Sequence, residues 1–224
     1  MLEGPILDGS GKVINSLEVL DLSANKLQGE IPYFFGNMCT LHLLHLSNNK
    51  LSGEISNFFQ NSSWCNRHVF QSLDLSDNQI TGMLPASIGL LSELEVLLLD
   101  ENHLEGDLTE SHVSNFSKLR YLALSENSLS LKIVPNWVPP FQIIKIKLRS
   151  CKLGPIFPTW LQTQSRLNEL DISDNGLNGS APGWFWNNLQ NMIILNMSHN
   201  NLTGAIPSIS VKLLNRPYIN MNSL

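Results

Sequence analysis

The stretch L-E-V-L-D-L-S-A-N-K-L-Q-G-E-I-P, Leu17 to Pro32, decides the fold. Its apolar residues fall at positions one, four, six and eleven of the pattern L-x-x-L-x-L-x-x-N-x-L, and a G-x-I-P tail follows. The pattern restarts at Leu41, Phe70, Leu94, Leu119, Ile143, Leu167 and Met192, and in the eight copies all 32 residues at those four positions are apolar. A chain that is 42% hydrophobic does not achieve this by chance. Self-similarity at intervals of 24 to 29 residues is the signature of a leucine-rich-repeat solenoid, in which each repeat is stable only when stacked on its neighbours.

In L-x-x-L-x-L, positions four and six share one face of an extended segment, whereas three, five and seven share the other. The fold class expected is therefore α/β: a leucine-rich-repeat solenoid, shaped as a right-handed horseshoe or superhelix. It has a parallel concave β-sheet and short 3-10 or irregular convex segments. A parallel sheet needs its inner face covered, and Phe35, Ile88, Trp137, Leu161 and Phe185 of the return segments are suited to cover it. The other tryptophans, Trp64, Trp160, Trp184 and Trp186, also fall in return segments and read as convex-side core. Position nine is Asn25, Asn49, Asn78, Asn102, Asn127, Cys151, Asn175 and Asn200, a structural ladder whose amides donate to and accept from buried backbone groups. Glycine holds position thirteen in six repeats, and Pro32, Pro85, Pro158, Pro182 and Pro207 hold position sixteen, keeping the chain extended there.

The organisation expected is one domain over 1–224, with a partial repeat in 1–16, eight repeats in 17–215 and a truncated repeat in 216–224. Leu2, Gly4 and Ile6 read as the tail of an earlier repeat, and Ile219 with Met221 as the start of a ninth. Solenoid ends need caps, so the chain is expected to be a piece of something longer. A net charge of -5 argues against a nucleic-acid partner, which calls for a basic stripe. No apolar run approaches the roughly 20 residues of a membrane span, and Met1 to Pro5 do not begin a signal peptide.

Signatures of catalysis are missing. Asp8 to Lys12 suggest a phosphate loop only superficially, since Val13 stands where Ser or Thr is required; a solvated loop is the simpler reading. His42 and His45 lack partners at ligand spacing, so neither metal nor cofactor is expected. Cys151 reads as a small buried residue on the ladder. Cys39 and Cys65 remain, in adjacent return segments, for a disulfide that would pin the long second repeat; the alternative is two free buried thiols. Five N-x-S/T sequons, at Asn61, Asn115, Asn178, Asn196 and Asn201, are candidate glycosylation sites. Asn196 lies on the exposed sheet, where a glycan would block partners in repeat eight.

The concave face varies without disturbing the core and is the usual binding surface of a solenoid. Its position five runs Asp21, His45, Asp74, Leu98, Ala123, Lys147, Asp171, Asn196, so His45, Leu98, Ala123 and Lys147 depart from an aspartate background. With Val96, Tyr121, Lys145 and Arg149 they form an apolar and aromatic patch beside a basic one in repeats four to six, a surface suited to a protein or peptide ligand. The competing reading pairs Lys145 with Glu169 and Lys147 with Asp171 across strands.

At R-S-C-K-L-G-P-I-F-P-T-W-L-Q-T-Q-S-R-L-N-E-L-D-I-S-D-N-G-L, Arg149 to Leu177, and F-F-Q-N-S-S-W-C-N-R-H, Phe58 to His68, the chain resembles plant receptor-like proteins, the xylanase-elicitor receptor group in particular. The resemblance implies an extracellular repeat domain carried behind a signal peptide and followed by one membrane span and a short tail without a kinase. It also implies recognition of apoplastic elicitors at the plasma membrane, relayed through receptor-kinase partners. A non-catalytic recognition module in defence signalling is thus expected. The rivals are a soluble inhibitor resembling polygalacturonase-inhibiting proteins and the ectodomain of a leucine-rich-repeat receptor kinase; an enzyme is the weakest class.

Overall fold

The computed structural model describes residues 1–7, 16–59, 64–206 and 218–220, the last by backbone alone. The loop Asp8 to Lys12, the sequon at Asn61, Pro207 and Met221 lie outside the described residues. The extended part of each repeat becomes a three-residue strand: Val19–Asp21, Leu43–His45, Ser72–Asp74, Val96–Leu98, Tyr121–Ala123, Lys145–Lys147, Glu169–Asp171 and Ile194–Asn196. With Tyr218–Asn220 they make one nine-stranded parallel sheet in chain order. The register sets equal pattern positions side by side, Leu44 against Leu73, Leu73 against Leu97 and Leu170 against Leu195. The leucine row is buried from Leu44 to Leu195, while Leu20 is half-buried. Each such side chain taken from water contributes about 1.5–3 kcal/mol, and only a neighbouring repeat completes the burial.

Return segments close the core from the convex side. They hold 3-10 helices at Tyr33–Asn37, Cys65–His68, Ala86–Leu90, Thr159–Thr163 and Leu189–Asn191. One-turn α-helices also form at Ile55–Phe58, Glu110–Val113 and Gly183–Asn187, a regularity that the sequence pattern does not announce. Phe35, Trp64, Ile88, Trp160, Leu161 and Phe185 are buried, and Trp137, Trp184 and Trp186 pack half-buried against the core.

The asparagine ladder explains how the turn after each strand is satisfied. Asn102 Nδ2 donates to the carbonyls of Leu75, Leu99 and Asp100 at 2.9–3.2 Å, and its Oδ1 accepts the Ile80 N–H at 3.0 Å. One side chain therefore serves two repeats. Asn49, Asn78 and Asn127 repeat the arrangement. The residue before the ladder is left-handed in all eight repeats, with φ of 53 to 60° from Ala24 to His199, and none of the eight is glycine. That turn points the amide back at the carbonyls of positions six and seven.

A second set of strands, which hydrophobic spacing alone does not show, flanks the first. Glu3–Pro5, Lys26–Gly29 and Lys50–Leu51 form one small sheet, Thr81–Met83, His103–Leu108 and Ser128–Leu131 another, and Asn178–Gly179 pairs with Asn201–Leu202. It is interrupted after Leu51, where a single bridge from Glu54 to Thr81 links the first two sheets, and breaks again at repeat six, where Pro155 takes the place of the position-thirteen glycine and brings no N–H to the ladder.

Candidate ligand-binding face

Positions three, five and seven of the repeats lie on the concave side, with Ser72, Ala123, Ser125 and Ser173 buried there, and in four repeats that side is chemically self-contained. Asp74 Oδ1 accepts the N–H of Ser76 at 3.1 Å and its hydroxyl at 2.7 Å. Asp171 does the same with Ser173, and Asn196 with Ser198. In repeat one the Ser23 backbone N–H and then its hydroxyl hold the Asp21 carboxyl below its ordinary range. Aspartate or asparagine at five with serine at seven is thus a closed hydrogen-bonding unit that asks nothing of a partner.

Repeats four to six break this unit. Val96 and Leu98 stand beside Tyr121 and Ala123 in register, and Lys145 and Lys147 follow on the next strand. Val96, Leu98 and Tyr121 are half-buried and the two lysines exposed. The Lys145 ammonium lies 6.0 Å from the centre of the Tyr121 ring, within reach of cation–π attraction. Arg149 Nε is 2.7 Å from Glu126 Oε1.

Three expectations need correction. Ala123 is 4% exposed; its methyl is shorter than the side chains on either side, so it supports the patch from beneath and offers no contact surface. Lys147 pairs with Glu169 Oε1 at 4.0 Å and not with Asp171, because Glu169 also holds Lys145 at 3.1 Å while Asp171 is occupied by Ser173 and Asn196. His45 does not join the patch. Asp74 separates it from Leu98 in the register, and its Nε2 is 2.9 Å from Ser72 Oγ.

Asp100 belongs to the face as well, at position seven and not at five. Position seven is serine in six repeats; Asp100 and Arg149 are the exceptions, and that departure was readable. Burial, the largest influence, raises the Asp100 carboxyl above its ordinary range against the opposing pull of its own backbone N–H and of Lys147, with Asp74 and Glu101 pushing it up further.

Cys151 is fully buried and free, and burial pushes its thiol up to about 12. Its sulfur bonds the Leu124 carbonyl at 3.5 Å, the donation that asparagine makes elsewhere, but it offers Leu129 no amide oxygen. Cys39 and Cys65 are joined in a disulfide. Among the sequons, Asn115, Asn178 and Asn201 are exposed, although the Asn115 amide donates to the Gly89 carbonyl at 3.2 Å, and the Asn196 amide donates to Asp171 Oδ2 at 2.9 Å. Among the described residues no group of three or more His, Cys, Asp or Glu is placed to hold a metal ion, and no helix is long and apolar enough to cross a membrane.

The chain is similar to plant receptor-like proteins and to the ectodomains of plant receptor kinases. Tomato (Solanum lycopersicum) receptor-like protein EIX1 is 47% identical over 106 residues, covering 47% of this chain and 10% of its own length. Receptor-like protein EIX2, also from tomato, is 44% identical over 119 residues, covering 53% and 12%. The chain thus spans about a tenth of these relatives. The ectodomain of the Arabidopsis receptor kinase HAESA, solved with an extended IDA peptide hormone, is 29% identical with a TM-score of 0.72, covering 89% of this chain and 33% of that one. The same ectodomain is also solved with IDA and the co-receptor SERK1, at 26% identity and a TM-score of 0.58 over 93% and 38%. The family model described as Leucine Rich Repeat matches residues 16–38, 40–62, 70–91, 166–188 and 191–213, half of the sequence, and this chain belongs to the leucine-rich-repeat family.

Proposed function

We propose that the chain is a non-catalytic ligand-recognition module of a plant cell-surface receptor-like protein. It binds a protein or peptide elicitor on its concave face in defence signalling and works with a membrane receptor-kinase partner. One observation carries the reading: in repeats four to six the self-contained Asp-x-Ser units give way to Val96, Leu98 and Tyr121 beside Lys145, Lys147 and Arg149. Aromatic and aliphatic anchors rimmed by charge are the composition of protein-binding surfaces. The identity to EIX1 and EIX2 supports the receptor-like class, and the peptide held by the similar HAESA ectodomain supports the ligand class. HAESA is named a receptor kinase, which favours a second reading, the ectodomain of a kinase-bearing receptor; the transcript downstream of residue 224 distinguishes the two.

Panning a phage-displayed random dodecapeptide library on the full chain tests the site. Selected peptides should lose at least about tenfold in affinity on Leu98→Glu and Tyr121→Ala, as expected for central anchors worth 1.4 kcal/mol or more. Peptides indifferent to both substitutions would place binding elsewhere.

A further inference from the structure

Asp100 stands out from every other acid of the concave sheet. The aspartates at Asp21, Asp74 and Asp171 are capped by serine two residues on. Repeat four inverts the order, with Leu98 at position five and the carboxylate at seven, so Asp100 has no serine cap, and the hydrogen bond its carboxylate accepts comes from its own backbone N–H. The cations nearby are engaged elsewhere: Lys145 and Lys147 with Glu169, Arg149 with Glu126, Arg120 with Glu95. No ion pair reaches Asp100 among the described residues. The charges that do act on it are Asp74 and Glu101, which oppose its ionisation, and Lys147, which favours it.

We infer that Asp100 is the seat of a lysine or arginine side chain of the ligand, so that the concave face selects a basic peptide. The inference rests on the concave-face reading and adds the chemical class of the guest. A long basic side chain has two parts, and repeat four offers a counterpart to each. Its methylene stem lies along half-buried Leu98 and Val96, and its cation meets the half-buried carboxylate. A charge-assisted bond in such partly desolvated surroundings is stronger than an exposed pair. The acids Asp77 and Glu101 on the adjoining turn add a negative field that draws a cation inward.

The same library supplies the test, read by sequence composition. Peptides selected on the native chain should be enriched in Lys or Arg at one position. Enrichment should vanish in selections on Asp100→Asn and on Asp100→Ser, which installs the residue that position seven carries in six other repeats and so keeps the fold. A selected basic peptide should lose at least about tenfold in affinity when its basic residue becomes norleucine, and should gain nothing from Asp100 once that residue is replaced. Selections without basic enrichment, or enrichment that persists on both variants, overturn the assignment while leaving the concave face intact. Peptides that also ignore Leu98→Glu and Tyr121→Ala overturn the concave-face reading with it.

Discussion

Glu169 Oε2 lies 3.1 Å from the Lys145 ammonium, and the other oxygen of the same carboxylate holds Lys147 at 4.0 Å. One half-buried acid therefore positions both lysines of the patch, while Glu126 holds Arg149. Both lysines are about half exposed, so the pairing is worth at most about 1 kcal/mol. Glu169→Gln should lower the urea midpoint slightly at low ionic strength. The difference should disappear near 1 M salt, where the screening length falls to about 3 Å. A loss of equal size at both ionic strengths would mean that Glu169 acts by packing.

The asparagine ladder carries more. Removing the Asn102 amide orphans the buried Ile80 N–H, at about 1–3 kcal/mol, and leaves the Leu75 carbonyl to Asn78 Nδ2 alone. Asn102→Ala should thus cost about 2 kcal/mol in urea unfolding, more than any exposed asparagine. A cost below about 1 kcal/mol would show that water replaces the amide.

Cys151→Asn should act in the opposite direction. The thiol reproduces the donation to the Leu124 and Arg149 carbonyls but no acceptor, and asparagine would add one for the Leu129 N–H, as Asn127 does for Leu104. A gain of about 1 kcal/mol is expected. A loss would indicate that the turn at Ser150 and Lys152, both left-handed, has no room for the larger side chain.

Cys39 and Cys65 close a loop with a sequence separation of 26, and both residues are exposed. Closing a loop of that length restricts the unfolded chain by about 3 kcal/mol. Reductant, or Cys39→Ser with Cys65→Ser, should lower the melting temperature by a matching amount. An unchanged melting curve would remove the bridge from the account of stability.

Asp100 ties stability to pH. Its folded-state pKa is raised, so the folded protein holds the proton more tightly than the unfolded chain. The stability this contributes is complete below the unfolded pKa of about 3.9 and is lost as pH rises through the folded value. Asp100→Asn removes the penalty on the charged form. The variant and the native chain should be equally stable at the acid end, and the variant should become the more stable one towards neutrality. A difference that shrinks as pH rises contradicts the assignment.

The repeat's own residues explain why much of this was legible. Leu44, Leu73 and Leu97 must lie in one row because their spacing matches and nothing else buries them, so the sheet follows from the pattern. The neighbour relations that follow from register were equally accessible, as Lys145 and Glu169 show. What the pattern leaves open is the reach of each side chain. Ala123 is covered because its neighbours are longer, and Lys147 swings to Glu169 because Asp171 is already engaged. The flanking strands were hidden for another reason: they are held by backbone and asparagine bonds, which hydrophobic spacing does not encode. Asp100 departs from the pattern at position seven, where six repeats carry serine, and not at position five, where the aspartates lie.

Hydrogen–deuterium exchange of the full chain with and without a library-selected peptide tests the central claim most directly. The account predicts slowed exchange confined to Val96–Leu98, Tyr121–Ala123 and Lys145–Lys147 with the turns that follow them. Slowing confined to the convex helices, with these three strands unchanged, would contradict it.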